Sequence, residues 1–349
     1  MTALLEFFLG IAIPTLIFYL LWAGSDMLIP LVIAIVIWYL IISITSAIQK
    51  ISYKKWKFPY GISLLLAITV CGFIIYWVFG ILTTNITQII IALPGYQERL
   101  VTVINDLSDW AGLKNPPNVG SILNQDHLVS FVSGVAQTMT SIAGNMGIIL
   151  IYVLFLILER ESFDSKLSAM IKDKSRLAKT QRGIKKVSSQ IQSYLRIKTF
   201  LSILTAVCSY GIMIFIGVDF ASFWAQLIFF FNFIPTIGSI IGTALPCILT
   251  LLQFDSWGPF IFVTSLLILL QFVIGNILEP RLIGKTVNLS GLVIIVSLAL
   301  WGNIWGITGM FLCVPIMVMA NIFFANFEKT RPIAIMLSSN GEIDQSIDE

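Results

Sequence analysis

Histidine and charge are the scarce components of this sequence. His127 is the single histidine, and only 11% of the 349 residues are charged. Metal clusters and nucleophile–histidine relays, which need imidazoles at several points along a chain, are therefore not expected. The four cysteines, Cys71, Cys208, Cys247 and Cys313, stand alone inside apolar runs. They form no CxxC pair and read as small apolar residues. HExxH and a GxS elbow are both missing. Gly284-Lys285-Thr286 has the tail of a phosphate loop, but Glu279 stands where its first glycine belongs, so ATP hydrolysis is not expected. No enzyme emerges from these residues. Residues 1–6 hold no Lys or Arg, so the start does not read as a signal peptide.

What is abundant is apolar. Hydrophobic residues make up 57% of the chain, and mean hydropathy is +0.93. Soluble domains average about 45–50% apolar and about 25% charged, so a bilayer is the natural solvent. A spanning helix needs about 20 apolar residues. Six runs fit: Phe7–Ala23, Met27–Ile48, Tyr60–Leu82, Ile142–Leu158, Thr199–Val218 and Trp257–Leu278. Ser222–Leu252 and Gly291–Ala325, at 31 and 35 residues, are too long for a simple crossing. Both are broken near the middle, the first by Asn232-Phe233-Ile234-Pro235-Thr236-Ile237-Gly238, the second by Trp301-Gly302-Asn303-Ile304-Trp305-Gly306. Proline removes a backbone donor, and broken backbone at membrane depth needs protein or a wet cavity around it. The expected fold is all-α and polytopic, with six full spans and two broken, re-entrant helical hairpins. The alternative is eight spans, two of them kinked at small residues that pack helices.

Charge placement orients these spans. Residues 49–59 carry Lys50, Lys54, Lys55 and Lys57, and residues 159–198 carry 11 Lys/Arg against 4 Asp/Glu. Residues 83–141 carry only Arg99 and Lys114 against four acids. The positive-inside rule puts the first two segments in the cytoplasm and the third outside. If Ser222–Leu252 folds back, Arg281 and Lys285 also reach the cytoplasmic side. Six regions follow: three spans over 1–82, an external amphipathic helical hairpin over 83–141, a fourth span over 142–158, a basic cytoplasmic helix over 159–198, a core over 199–325 holding the two broken hairpins (222–252 and 291–325), and a cytoplasmic tail over 326–349. In 83–141, apolar positions 86, 89, 90, 93, 100, 101, 104 and 107 follow a helical period. In the basic segment, Lys185, Lys186, Arg196 and Lys198 would attract anionic headgroups. Nucleic acid is not an expected partner.

The polar stretch Gly275 to Thr286 joins two very apolar runs and contains Asn276, Glu279 and Arg281. It reads either as an interfacial turn in which Glu279 and Arg281 pair, or as a gate or ligand clamp. Asn232, Thr236, Ser239 and Asn303 are the polar groups nearest the two breaks. Half-helix ends, unwound carbonyls and such side chains are what a transporter needs at its site, and equally what glues helices together.

Three ordered stretches then carry a resemblance. Phe231-Asn232-Phe233-Ile234-Pro235-Thr236-Ile237-Gly238, Leu278-Glu279-Pro280-Arg281-Leu282-Ile283-Gly284-Lys285, and Trp301 to Met310 followed by Val314-Pro315 resemble the signatures of the autoinducer-2 exporter-like permease family. The resemblance covers about residues 185–325 and is topological over 1–150. It implies a multi-pass transporter of the cytoplasmic (inner) membrane, with both termini cytoplasmic, linked to quorum sensing and moving a small polar metabolite such as autoinducer-2. It implies a homo-oligomer, a pentamer among the sizes, in contact with membrane lipid. No cofactor is implied beyond a coupling ion, Na+ or H+. A sodium/proton antiporter and a non-transporting scaffold are the alternative functions, and Asp219 or Glu279 would carry the proton in an antiporter. Carried over, the transport-path residues are Asn232, Pro235, Thr236, Gly238, Asn276, Glu279, Arg281, Gly302, Asn303 and Gly306.

Overall fold

In the computed structural model the described residues are 2–50, 58–110, 112, 134, 137, 140, 144–283, 288–325, 330–339 and 341. The lysine-rich residues 51–57, most of 111–143, residues 284–287 and the acidic C-terminal residues lie outside them, and with them Gly284, Lys285, Thr286 and His127. All regular structure among the described residues is helical: α1 (Thr2–Ala23), α2 (Ser25–Lys50), α3 (Tyr60–Trp110), α4 (Met146–Met170), α5 (Lys174–Ile216), α6 (Ala221–Phe231), α7 (Ile237–Gln253), α8 (Trp257–Phe272), a π-helical segment (Val273–Leu278), α9 (Glu279–Ile283), α10 (Gly291–Ala325) and α11 (Arg331–Leu337). Five stretches are long and apolar enough to cross a membrane: Ser25–Lys50, Tyr60–Val78, Lys174–Ile216, Trp257–Ile283 and Gly291–Ala325. Large apolar side chains point outward, with Tyr76 79% and Phe215 81% exposed. Such an exterior suits lipid rather than water. The chain is a multi-pass membrane protein whose regular structure, among the described residues, is helical.

It divides into two compact units, one built from residues 1–58, 145–196 and 285–349, the other from 59–144 and 197–284. In the first, α2 packs on α4, and α10 packs on α1, α2 and α11. The Trp305 indole N–H donates to the Leu21 carbonyl at 2.9 Å, tying α10 to α1. Asn288 ties the start of α10 to the end of α11: its Oδ1 accepts from the Ser339 hydroxyl at 2.6 Å. Within α10, Gly306 has φ 61 and ψ −142, a combination open in practice to glycine alone. A Cβ on Gly309 would lie 1.9 Å from the Trp301 carbonyl oxygen. In a straight helix those residues would be about 12 Å apart, so the chain turns back at Gly306.

In the second unit, α6 and α7 pack against each other and against α3, and α7 packs on α8. Phe223, Leu227, Ile228, Leu249, Val263, Leu267 and Met213 fill the interior. The run expected to break does so at Asn232–Thr236, between α6 and α7. A Cβ on Gly238 would sit 1.8 Å from the Phe231 carbonyl oxygen, and one on Gly242 would lie 3.5 Å from Ile228 Cα, so the halves run antiparallel. Both feet meet at the Gly217 end of α5: Gln253 Nε2 donates to the Gly217 carbonyl at 2.8 Å, and the Asp219 N–H donates to Gln253 Oε1 at 2.8 Å. The run therefore enters and leaves at one end of α5. Its halves, 11 and 17 residues long, span roughly 16 Å and 26 Å, less than a hydrocarbon core of about 30 Å.

α3 holds those feet. The Tyr96 hydroxyl donates to Asp219 Oδ2 at 2.7 Å. Arg99 bonds the Phe254 carbonyl at 3.3 Å and pairs with Asp255 at 3.2 Å. Tyr96 and Arg99 lie beyond the apolar part of α3, on the helical extension that the periodicity of 86–107 predicts.

Candidate functional site

α5 changes character along its length. Residues up to Arg196 are basic, and apolar residues follow. At the transition, Lys198, Ser202, Thr205 and Ser209 recur at spacings of four, three and four, which places them on one helical face. All four are buried, with Lys198 4% and Ser202 0% exposed. The Thr205 hydroxyl satisfies itself on the Leu201 carbonyl at 2.8 Å.

Two of the sequence signatures meet this face. Asn232, at the tip of the first hairpin and 3% exposed, donates from Nδ2 to Ser202 Oγ at 3.1 Å. Lys198 Nζ donates to Glu279 Oε1 at 2.5 Å, with side-chain exposures of 5% and 25%. One helical turn of α5 thus separates the partner of the first signature from the partner of the second.

The tip itself is strained. The Ile237 N–H donates to the Pro235 carbonyl at 2.6 Å, with Thr236 between them at φ 59 and ψ −61. That is the γ-turn of positive φ, rare and strained in proteins. The Thr236 carbonyl accepts from the Ser239 hydroxyl at 2.8 Å, and Thr236 is exposed while Phe233 and Ile234 are buried.

Glu279 directly follows the π-helical segment, and its N–H bonds the Ile274 carbonyl five residues back. π-turns inside α-helices recur at functional sites. Asn276 in this segment and Arg281 in α9 are exposed. Glu279 pairs with Lys198 rather than with Arg281, because residues two apart on a helix do not face each other. Lys198, read from sequence as a cation for headgroups, points inward instead. An ammonium at the edge of an apolar run needs an anion or water, and Glu279 supplies the anion. Lys198 and Ser202 are the site residues that sequence reasoning missed. The signal was present in the 198/202/205/209 spacing.

In the other unit, Gly302 packs on Met310, Asn303 is exposed, and Gly306 makes the break. Asp219 is exposed in the turn before α6. Among the described residues no group of three His, Cys, Asp or Glu side chains is placed to hold a metal ion. α5 and the two groups that meet it instead bring together a cation and a hydroxyl (Lys198, Ser202) with a carboxylate and an amide (Glu279, Asn232). Groups of this kind can exchange hydrogen bonds and charge contacts with a polar solute.

Residues 11–329 match the profile of the AI-2E family transporter. The chain belongs to the AI-2E transporter family. Within that group it is 27% identical over 336 residues to a putative transport protein of Haemophilus influenzae, covering 94% of this chain and 95% of the relative. It is 27% identical over 324 residues to the AI-2 transport protein TqsA of Escherichia coli K12, covering 90% of each. Against the putative transport protein YhhT of E. coli K12 it is 30% identical over 266 residues, 74% of each chain. AI-2E membership together with the helical architecture makes this a membrane transporter or permease, and the family's link to quorum sensing runs through the AI-2 transport relative.

Proposed function

We propose that this permease sits in the cytoplasmic membrane and exports a small, hydroxyl-rich metabolite of the autoinducer-2 kind along the buried polar face of α5. The observation that carries this reading is the convergence of Asn232 on Ser202 and Glu279 on Lys198, one turn apart on one helix. A hydroxylated solute can replace the Asn232–Ser202 contact, because amide and hydroxyl groups both exchange hydrogen bonds with hydroxyls. The likeness to the AI-2 transport protein TqsA supports the choice of solute. The basic run that ends at Lys198 supports a cytoplasmic position for that end of α5, and both termini are read as cytoplasmic too. Self-association is part of the reading.

The test is autoinducer-2 flux in proteoliposomes. Wild type should move it, and Asn232→Ala or Ser202→Ala should slow it about tenfold, the factor expected from one hydrogen bond to the moving solute. Both variants should still assemble. Full flux in both would reject the site, and no flux in wild type would reject the solute.

A further inference from the structure

The two members of the buried ion pair are not equivalent. Lys198 stands on an uninterrupted α-helix, its side chain 5% exposed, in line with Ser202, Thr205 and Ser209. Glu279 is 25% exposed, follows a π-helical segment, and has exposed Asn276, Ile277, Pro280 and Arg281 around it in sequence. The carboxylate therefore has more open space around it than the cation has. A change from π to α register before Glu279 would turn it by about 100° around the helix and take its carboxylate off Lys198.

We propose that the Lys198 ammonium is a binding site for an anionic group, a carboxylate or a phosphate, and that Glu279 is its resident, displaceable occupant. The inference rests on the transporter reading above and narrows its substrate class to small anions that also carry hydroxyls. Its physical basis is the cost of an unpaired ammonium in a dry site. Glu279 leaves only when another anion takes its place, so the pair opens when loaded and stays shut when empty. Neutral or cationic solutes cannot make the exchange. The same chemistry is offered by a soluble anion and by an anionic lipid headgroup.

The test is chemical rescue in the full-length protein, read as thermal unfolding rather than flux. In phosphatidylcholine nanodiscs, Glu279→Ala should lower Tm. Acetate or inorganic phosphate should then raise it in a saturable way toward the wild-type value, while choline chloride at equal ionic strength should not. Wild type, its site already filled, should respond little, and Lys198→Met/Glu279→Ala should not respond. If Glu279→Ala does not fold, Glu279→Gln serves, with anions raising its Tm more than that of wild type. A second arm replaces part of the phosphatidylcholine with phosphatidylglycerol and adds no soluble anion. Rescue in the first arm identifies a soluble anion, and rescue in the second alone identifies a headgroup. An absence of rescue in both arms, or rescue that persists without Lys198, overturns the proposal. Because it reads binding and not transport, the result stands apart from the flux assay.

Discussion

Arg99 reaches across to the end of α7, 155 residues later in sequence, and bonds the Phe254 carbonyl through one guanidinium nitrogen and Asp255 through another. The two contacts differ in worth. Asp255 is 96% exposed, and exposed ion pairs contribute little. The carbonyl bond places a cation on the negative end of a helix dipole, where it counts. Arg99→Met should therefore lower stability by about 0.5–1.5 kcal/mol, and Asp255→Asn by a few tenths at most. Melting curves of the two variants in one detergent decide this. Equal losses would mean that the salt bridge is the operative contact.

The neighbouring Tyr96 makes the same grip pH-dependent in a defined direction. Burial, and then the Asp219 carboxylate bonded to its hydroxyl, push the Tyr96 phenol above its ordinary value of 10.0. Because the folded value is raised, its contribution to stability is complete below pH 10 and disappears as pH climbs through the folded value. Melting temperatures of wild type and Tyr96→Phe should differ by a constant amount across neutral pH and converge only in strong alkali. Convergence already near neutrality would contradict the assignment.

Three glycines rank by what a methyl group would meet. At Gly238 and Gly309 it would overlap main-chain carbonyls, at 1.8 and 1.9 Å. At Gly302 it would meet the flexible end of Met310, at 2.8 Å. Alanine at the first two should cost on the order of 3 kcal/mol or more, and at Gly302 about 1 kcal/mol. Yield of monodisperse protein and Tm should follow that order. Wild-type behaviour of Gly238→Ala would show that α6 and α7 do not approach as closely as described.

Thr236 makes the opposite prediction. Its positive φ costs roughly 1–3 kcal/mol, so Thr236→Gly should raise Tm by relieving it. If the strained tip also serves the transport cycle, the same variant should slow flux, and measuring both on one preparation separates the effects.

The breaks were legible because proline and glycine act locally. Pro235 and Gly306 announce interrupted helices without knowledge of any neighbour, and the apolar periodicity of α3 needed no partner either. Partners across the fold were not legible. Lys198 looks like the last of 11 basic residues, and its carboxylate lies 81 residues away. Arg281, two residues from Glu279, seemed the nearer mate from sequence alone, but helical geometry turns the two away from each other. Ser202 carries no signal by itself, and only its place in the 198/202/205/209 row sets it apart.

The shortness of α6 and α7 bears on how the molecule is made. Neither is long enough to be inserted from the ribosome as an independent crossing, so the pair must wait for a surface to settle on. Part of that surface comes from α3 and α5, both N-terminal to the pair and therefore already synthesised when it emerges, and α8, which follows, covers α7 afterwards. Moving this hairpin ahead of α3 by circular permutation would leave it without a cradle during synthesis, and the nascent chain would go to quality-control proteases instead of the bilayer.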